Sequence, residues 1–183
     1  MDKIKKNFGF GCMRFPMIGE EIDEAQDSQM VDYFLDQGFN YFDTAHGYIG
    51  ERSELAVKNC LTSRYPRESY ILTNKLTAAY FEKEEDIRPF FESQLERCGV
   101  DYFDFYLMHA QGMGNYPKFK ECHAYELLIA AGIYFFFRDG RRYWWQMGRQ
   151  NGWPTPYRRY VYLNPGFILY MIIFGIEMIS YIL

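Results

Sequence analysis

Four short β-rich runs recur along the first part of the chain at nearly constant intervals, and this regularity limits the folds open to it. Residues 8–11, 40–43, 70–75 and 104–109 have strand character, and their ends lie 32, 32 and 34 residues apart. Between the first two, Met30, Val31, Phe34 and Leu35 recur at helical spacing, and Gly38 stands where a glycine ends a helix. Leu55, Ala56, Cys60 and Leu61 form a similar stripe before the third run. Ile87, Phe90, Phe91, Leu95 and Cys98 form another before the fourth, closed by Gly99, with Asp86 expected as N-cap and Pro89 in the tolerated first turn. The order is βαβαβαβ. Units of this length with right-handed crossovers build either an open doubly wound sheet or a (β/α)8 barrel, and periodicity alone does not separate them.

The residues at the strand ends point to chemistry. Asp43, Lys75 and His109 finish three successive strands, and in both architectures the carboxyl ends of parallel strands open onto the active-site face. Tyr48 follows Asp43 by five residues, close enough to fold back over the same mouth. A phenol is a poor proton donor at neutral pH unless its phenolate is stabilised, and Lys75 would supply the charge that does so. Asp43 would keep Lys75 protonated and oriented, while His109 would hydrogen-bond a bound carbonyl oxygen. The plainer alternative makes Asp43 and Lys75 a structural ion pair, Tyr48 a loop anchor and His109 a satisfied core histidine. Four such residues in phase with one repeat favour the chemical reading.

The motifs around these residues resemble the aldo-keto reductases. They are Gly-Phe-Gly-Cys-Met-Arg-Phe-Pro from Gly9, Asn-Tyr-Phe-Asp-Thr-Ala-His-Gly-Tyr from Asn40, Gly-Glu-Arg-Ser-Glu from Gly50, Thr-Asn-Lys-Leu from Thr73, and Arg-Cys-Gly-Val-Asp-Tyr-Phe-Asp from Arg97 through Leu-Met-His at 107–109. The resemblance covers residues 7–126 and is nearest to the bacterial branch that often carries cysteine clusters late in the chain. It implies the N-terminal half of a (β/α)8 TIM barrel, in a family that reduces aldehydes or ketones with NADPH. It also implies that Tyr48 is the general acid, that Lys75 and Asp43 are its supporting pair, and that His109 orients a small carbonyl substrate. Gly11, Met13 and Arg14, in the loop after the first strand, together with Asp43, are implied on the cofactor side. Gly9 and Gly11 are not a dinucleotide fingerprint, because no third glycine opens a helix after them. His46 is expected to be solvent-exposed or on the substrate rim. Metal binding at Cys122 and His123 is not expected, since neighbours on a helix face different ways.

Composition divides the chain at Glu126. All eight lysines and all four cysteines precede the division, whereas residues 127–183 hold six arginines, no lysine, two acids and all three tryptophans. A half barrel over 1–126 and a divergent aromatic and apolar tail over 127–183 are therefore expected. A barrel needs about 250 residues, and no family motif for the nicotinamide amide or the adenosine phosphate is legible after the division. The enzyme is thus expected to be truncated and inactive as given. Three accounts of the tail stay open: a frameshifted reading, a membrane anchor over residues 167–183, and an apolar segment covering the half barrel. The last two allow a rival reading, a non-catalytic half barrel held on a membrane or partner. Self-association through open sheet edges is a further expectation. A net charge of −4 offers no footprint for nucleic acid. The cysteine spacings suggest neither disulfide framework nor zinc site, and with no apolar run after Lys3, Lys5 and Lys6 a cytoplasmic location is expected.

Overall fold

The structure is a computed structural model describing residues 4–130. The expected tail over residues 127–183 therefore lies almost wholly outside the described residues. Among the described residues no helix is long and apolar enough to cross a membrane.

Strand β1 (Gly9–Gly11) leads into a small hairpin of β2 (Met17–Ile18) and β3 (Glu21–Ile22), then helix α1 (Glu24–Asp36) and β4 (Tyr41–Asp43). Helix α2 (Ser53–Val57) runs on into a π-helical turn, Lys58–Thr62, before β5 (Ile71–Leu76). Helix α3 (Glu84–Cys98), β6 (Phe105–Met108), α4 (Tyr116–Glu121) and α5 (Ala124–Ala130) complete the order. The main sheet is parallel and its spatial order is β1-β4-β5-β6, the order of the chain. A doubly wound sheet reverses direction at a switch point. This one advances in a single direction, as a barrel does.

Burial follows from period two in the strands and 3.6 in the helices. All six residues of β5 are buried. Tyr41 and Thr73 share one face, where the Tyr41 hydroxyl accepts a 2.6 Å hydrogen bond from Thr73 Oγ1 and the Tyr41 ring lies 6.0 Å from Phe105. Phe42 takes the opposite face and meets Phe34 of α1 edge-on at 5.3 Å. Asp43 and Lys75 share parity with Tyr41 and Thr73, so they point inward, away from the helices.

Three local expectations need correction. Met30 and Leu55 are exposed, because the stripes that meet the sheet are narrower than the apolar patterns: Asp27, Val31 and Phe34 on α1, and Ser53, Ala56 and Val57 on α2, followed by Cys60 and Leu61. Helix α3 starts at Glu84, and Asp86 is its third residue, accepting hydrogen bonds from the backbone N–H of Glu82 and Lys83 at 2.9 and 3.1 Å. Capping from the third position lets the helix begin earlier than an N-cap aspartate would, and Pro89 consequently lies inside it. The hairpin after β1 has no counterpart in the sequence reading. Its turn carries Gly19 at φ 63°, a conformation that suits glycine.

Asp27 is buried on the apolar stripe of α1, and neither carboxylate oxygen has a hydrogen-bond partner among the described residues. Burial, and then the charges of Asp23 and Glu24, push its pKa up to about 7. A folded-state pKa above the unfolded value of about 3.9 means that Asp27's contribution is fully favourable below about pH 4 and is lost as pH rises through about 7. The urea midpoint is expected to fall between about pH 5 and about pH 8, and Asp27→Asn to flatten that fall. An unchanged pH dependence in the variant would contradict this account of Asp27.

Candidate active site

Every ionisable residue expected at the strand ends lies within one residue of the carboxyl end of its strand. Asp43 closes β4, Lys75 is the penultimate residue of β5, and His109 directly follows β6. Adjacent strands in register place these ends side by side, with Gly11 opposite Asp43 and Lys75 opposite Leu107.

Lys75 Nζ is the hub. It donates to Asp43 Oδ1 at 2.5 Å, to the Thr44 carbonyl at 2.8 Å and to the Tyr48 hydroxyl oxygen at 2.9 Å. The ammonium also lies 4.5 Å from the centre of the Tyr48 ring. Burial works against its charge, but Asp43 and Tyr48 outweigh burial and its pKa is raised. Lys75 is therefore a protonated donor at neutral pH. Burial raises the Tyr48 pKa while Lys75 pulls it back, and the net direction is upward. The ammonium alone would lower it; the desolvation that outweighs the ammonium is a property of the folded site. The Tyr48 hydroxyl consequently keeps its proton at rest.

His109 stands edge-on to Tyr48, with ring centres 5.7 Å apart, and its Nδ1 is 2.8 Å from Thr77 Oγ1. Burial, reinforced by Lys75, lowers its pKa to about 4. The imidazole is thus neutral, and in the tautomer whose Nδ1 accepts from the Thr77 hydroxyl, Nε2 carries the proton and can donate. An NMR titration of the imidazole carbons is expected to place the His109 midpoint well below the ordinary value of about 6.5. A midpoint at or above that value would show that the ring is solvated.

The loop after β1 is tied into the same cluster. The Cys12 N–H donates to the Asp43 carbonyl at 2.8 Å, Ser53 Oγ donates to the Cys12 carbonyl at 2.7 Å, and Thr44 Oγ1 lies 2.8 Å from Ser53 Oγ. Met13 and Arg14 continue this loop, half-buried and exposed. Asp43 Oδ2 is buried and has no hydrogen-bond partner among the described residues.

Behind the cluster, on the helix side of the sheet, sits a polar network that the sequence reading did not find. Glu54 is completely buried. Its Oε1 accepts from Asn74 Nδ2 at 2.9 Å and Gln94 Nε2 at 3.0 Å, and its Oε2 meets Arg97 Nε at 2.7 Å and His46 Nδ1 at 2.8 Å. His46 is therefore neither solvent-exposed nor on the rim, because a buried carboxylate needs its donors. Its ring packs edge-on against Tyr80 and Phe90. Glu54, Asn74 and Arg97 stand within the quoted motifs, but only Gln94, from mid-helix, completes the set. His123, by contrast, is exposed and pairs with Glu84 at 2.6 Å, while Cys122 is buried beside the Glu82 carbonyl.

The profile of the aldo/keto reductase family matches residues 7–132, well over half of the chain. The chain belongs to the aldo-keto reductase family. Human aldo-keto reductase family 1 member C3 is 30% identical over 104 residues, spanning 56% of this chain and 31% of its own length. An aldo-keto reductase of Mycobacterium sp. (strain MCS) is 35% identical over 91 residues, spanning 49% and 30%. The matched part of this aldo-keto reductase chain thus spans about a third of those relatives. Among solved structures, the aldo-keto reductase of Klebsiella pneumoniae in complex with NADPH superposes with a TM-score of 0.57 at 24% identity, covering 71% of this chain and 44% of that one. The holo form of a Bacillus halodurans aldo-keto reductase gives 0.57 at 28%, covering 70% and 44%. These likenesses establish the fold as the N-terminal half of a (β/α)8 barrel.

Proposed function

We propose that residues 7–130 form the proton-donating side of an NADP(H)-dependent reductase that converts aldehydes or ketones to alcohols. The observation that carries this reading is Lys75 Nζ, which bridges Asp43 Oδ1 at 2.5 Å and the Tyr48 hydroxyl at 2.9 Å at the mouth of the parallel sheet. The family supplies the reaction class, and the NADPH complex of the Klebsiella pneumoniae relative supports the cofactor.

The residues present fit that cofactor. Asp43 Oδ2, without a hydrogen-bond partner among the described residues, is a buried acceptor suited to a sugar hydroxyl, and Gly11, Met13 and Arg14 lie on the anchored loop beside it. NADPH, when bound, supplies the hydride. His109 Nε2–H hydrogen-bonds the substrate oxygen and orients the carbonyl. Tyr48 gives its hydroxyl proton to that oxygen as the carbonyl carbon is reduced, leaving a phenolate. The Lys75 ammonium stabilises the phenolate, Asp43 keeps the ammonium in place, and a solvent proton restores Tyr48.

Positioning both reactants within the site is worth about 7–11 kcal/mol of barrier, and the four strands of the described sheet enclose only one side of them. The 183-residue chain alone is accordingly expected to give no measurable turnover. The test joins residues 7–130 to the second half of the Bacillus halodurans barrel and follows NADPH consumption with a panel of small aldehydes and ketones. Turnover by the chimera, with none from the chain alone, supports the reading. A folded chimera that binds NADPH and reduces nothing would sink it.

A further inference from the structure

Tyr48 stands on a loop, not on a regular element, and the backbone directly after it is left-handed. Ile49, Gly50 and Glu51 have φ of 52°, 59° and 66°. Gly50 takes this conformation freely, but Ile49 and Glu51 carry a Cβ, and a β-branched residue there is an outlier. A run of this kind persists only where its surroundings hold it.

The holding groups converge on one carboxylate. Arg97 of α3 donates from Nε to Glu54 Oε2 at 2.7 Å and from a second nitrogen to the Glu51 carbonyl. His46 Nδ1 lies 2.8 Å from the same Oε2. The loop is thus cross-linked through Glu54 and Arg97 at positions two before and three after Tyr48. The other oxygen, Oε1, serves the strand that carries Lys75. It accepts from Asn74 and Gln94, whose side chains in turn hydrogen-bond the Lys75 backbone. Asn74 Oδ1 accepts from Lys75 N–H at 2.8 Å, and Gln94 Nε2 donates to the Lys75 carbonyl at 3.2 Å.

We propose that Glu54 and Arg97 are positioning residues that hold Tyr48 against Lys75, with Oε1 fixing the lysine's strand and Oε2, through Arg97, clamping the left-handed loop of the tyrosine. Neither residue touches the reacting groups. The inference rests on the proposed roles of Tyr48 and Lys75 for its significance, but its geometry is measurable without substrate or cofactor.

The test uses the full chain and reads the nuclear Overhauser contacts between the Lys75 side-chain methylenes and the Tyr48 ring, assigned with Tyr48→Phe. Arg97→Lys keeps a counter-charge for Glu54, but a single ammonium does not reproduce the fork that spans Glu54 and the Glu51 carbonyl. The expected result is a severalfold weakening of the Lys75–Tyr48 contacts while those between β5 and β6 persist. Adding Ile49→Gly, which removes the left-handed strain at that position, is expected to restore them. Unchanged contacts in a folded Arg97→Lys chain would overturn the proposal. Glu54→Gln is the second variant, since its amide nitrogen cannot accept from Arg97. If both variants unfold, the network holds the whole fold and not this pair, and the proposal is overturned as well. Reductase activity plays no part in these outcomes, so a failure of the proposed reaction remains distinguishable from a failure of the clamp.

Discussion

In a complete barrel, Tyr48→Phe is expected to lower kcat for carbonyl reduction by about 10²- to 10⁴-fold and to leave NADPH affinity within about twofold of its starting value. The separation follows from what the substitution removes. Phenylalanine keeps the ring that stands against His109 at 5.7 Å and beneath the Lys75 ammonium, so packing at the mouth is retained. The hydroxyl alone is lost, and with it the proton that the nascent alkoxide needs. Stopped-flow hydride transfer and a separate cofactor titration on the chimera measure the two quantities independently. A loss smaller than about threefold would mean that another group donates the proton.

Lys75→Met should be as damaging to turnover and, unlike the tyrosine variant, costly to the fold. The ammonium is the only charge partner of Asp43 in the described ion pairs, and both side chains are buried. Removing it leaves a carboxylate in a low-dielectric site, a situation that destabilises by about 3–5 kcal/mol. Chemical denaturation of the 183-residue chain measures this term without any assay of activity. Adding Asp43→Asn to Lys75→Met removes the stranded charge, and the double variant is expected to regain much of the stability and none of the turnover. Turnover restored along with stability would assign Lys75 to structure alone.

The inward-facing half of the site was legible because its residues obey local rules. Asp43, Lys75 and His109 stand where regularly spaced strands end, and Tyr48 sits within reach of the same mouth. The outward-facing half obeys no local rule. Glu54 draws donors from positions 46, 74, 94 and 97, on one strand, one helix and a loop, and Gln94 reads in sequence as an ordinary polar residue of an amphipathic helix. Ile49 gives no hint of its left-handed backbone, since isoleucine is among the residues least suited to it. The choice between the two βα architectures was equally beyond periodicity. It depends on where β4, β5 and β6 lie relative to β1, which is decided by packing and not by the length of each unit.

That strand order has a consequence for how the chain comes off the ribosome. Because β4, β5 and β6 each pair with the preceding strand of the main sheet, every new unit finds its template already made. A strand inserted between two older ones would have to wait for both and then part them. Here growth is only by addition at an edge, one hydrophobic layer and one ladder at a time, at a sequence separation of about one βα unit. Loop-closure entropy is therefore met in equal, moderate instalments. Vectorial synthesis and the geometry of the sheet run in the same direction, so nascent units dock in the order in which they are translated.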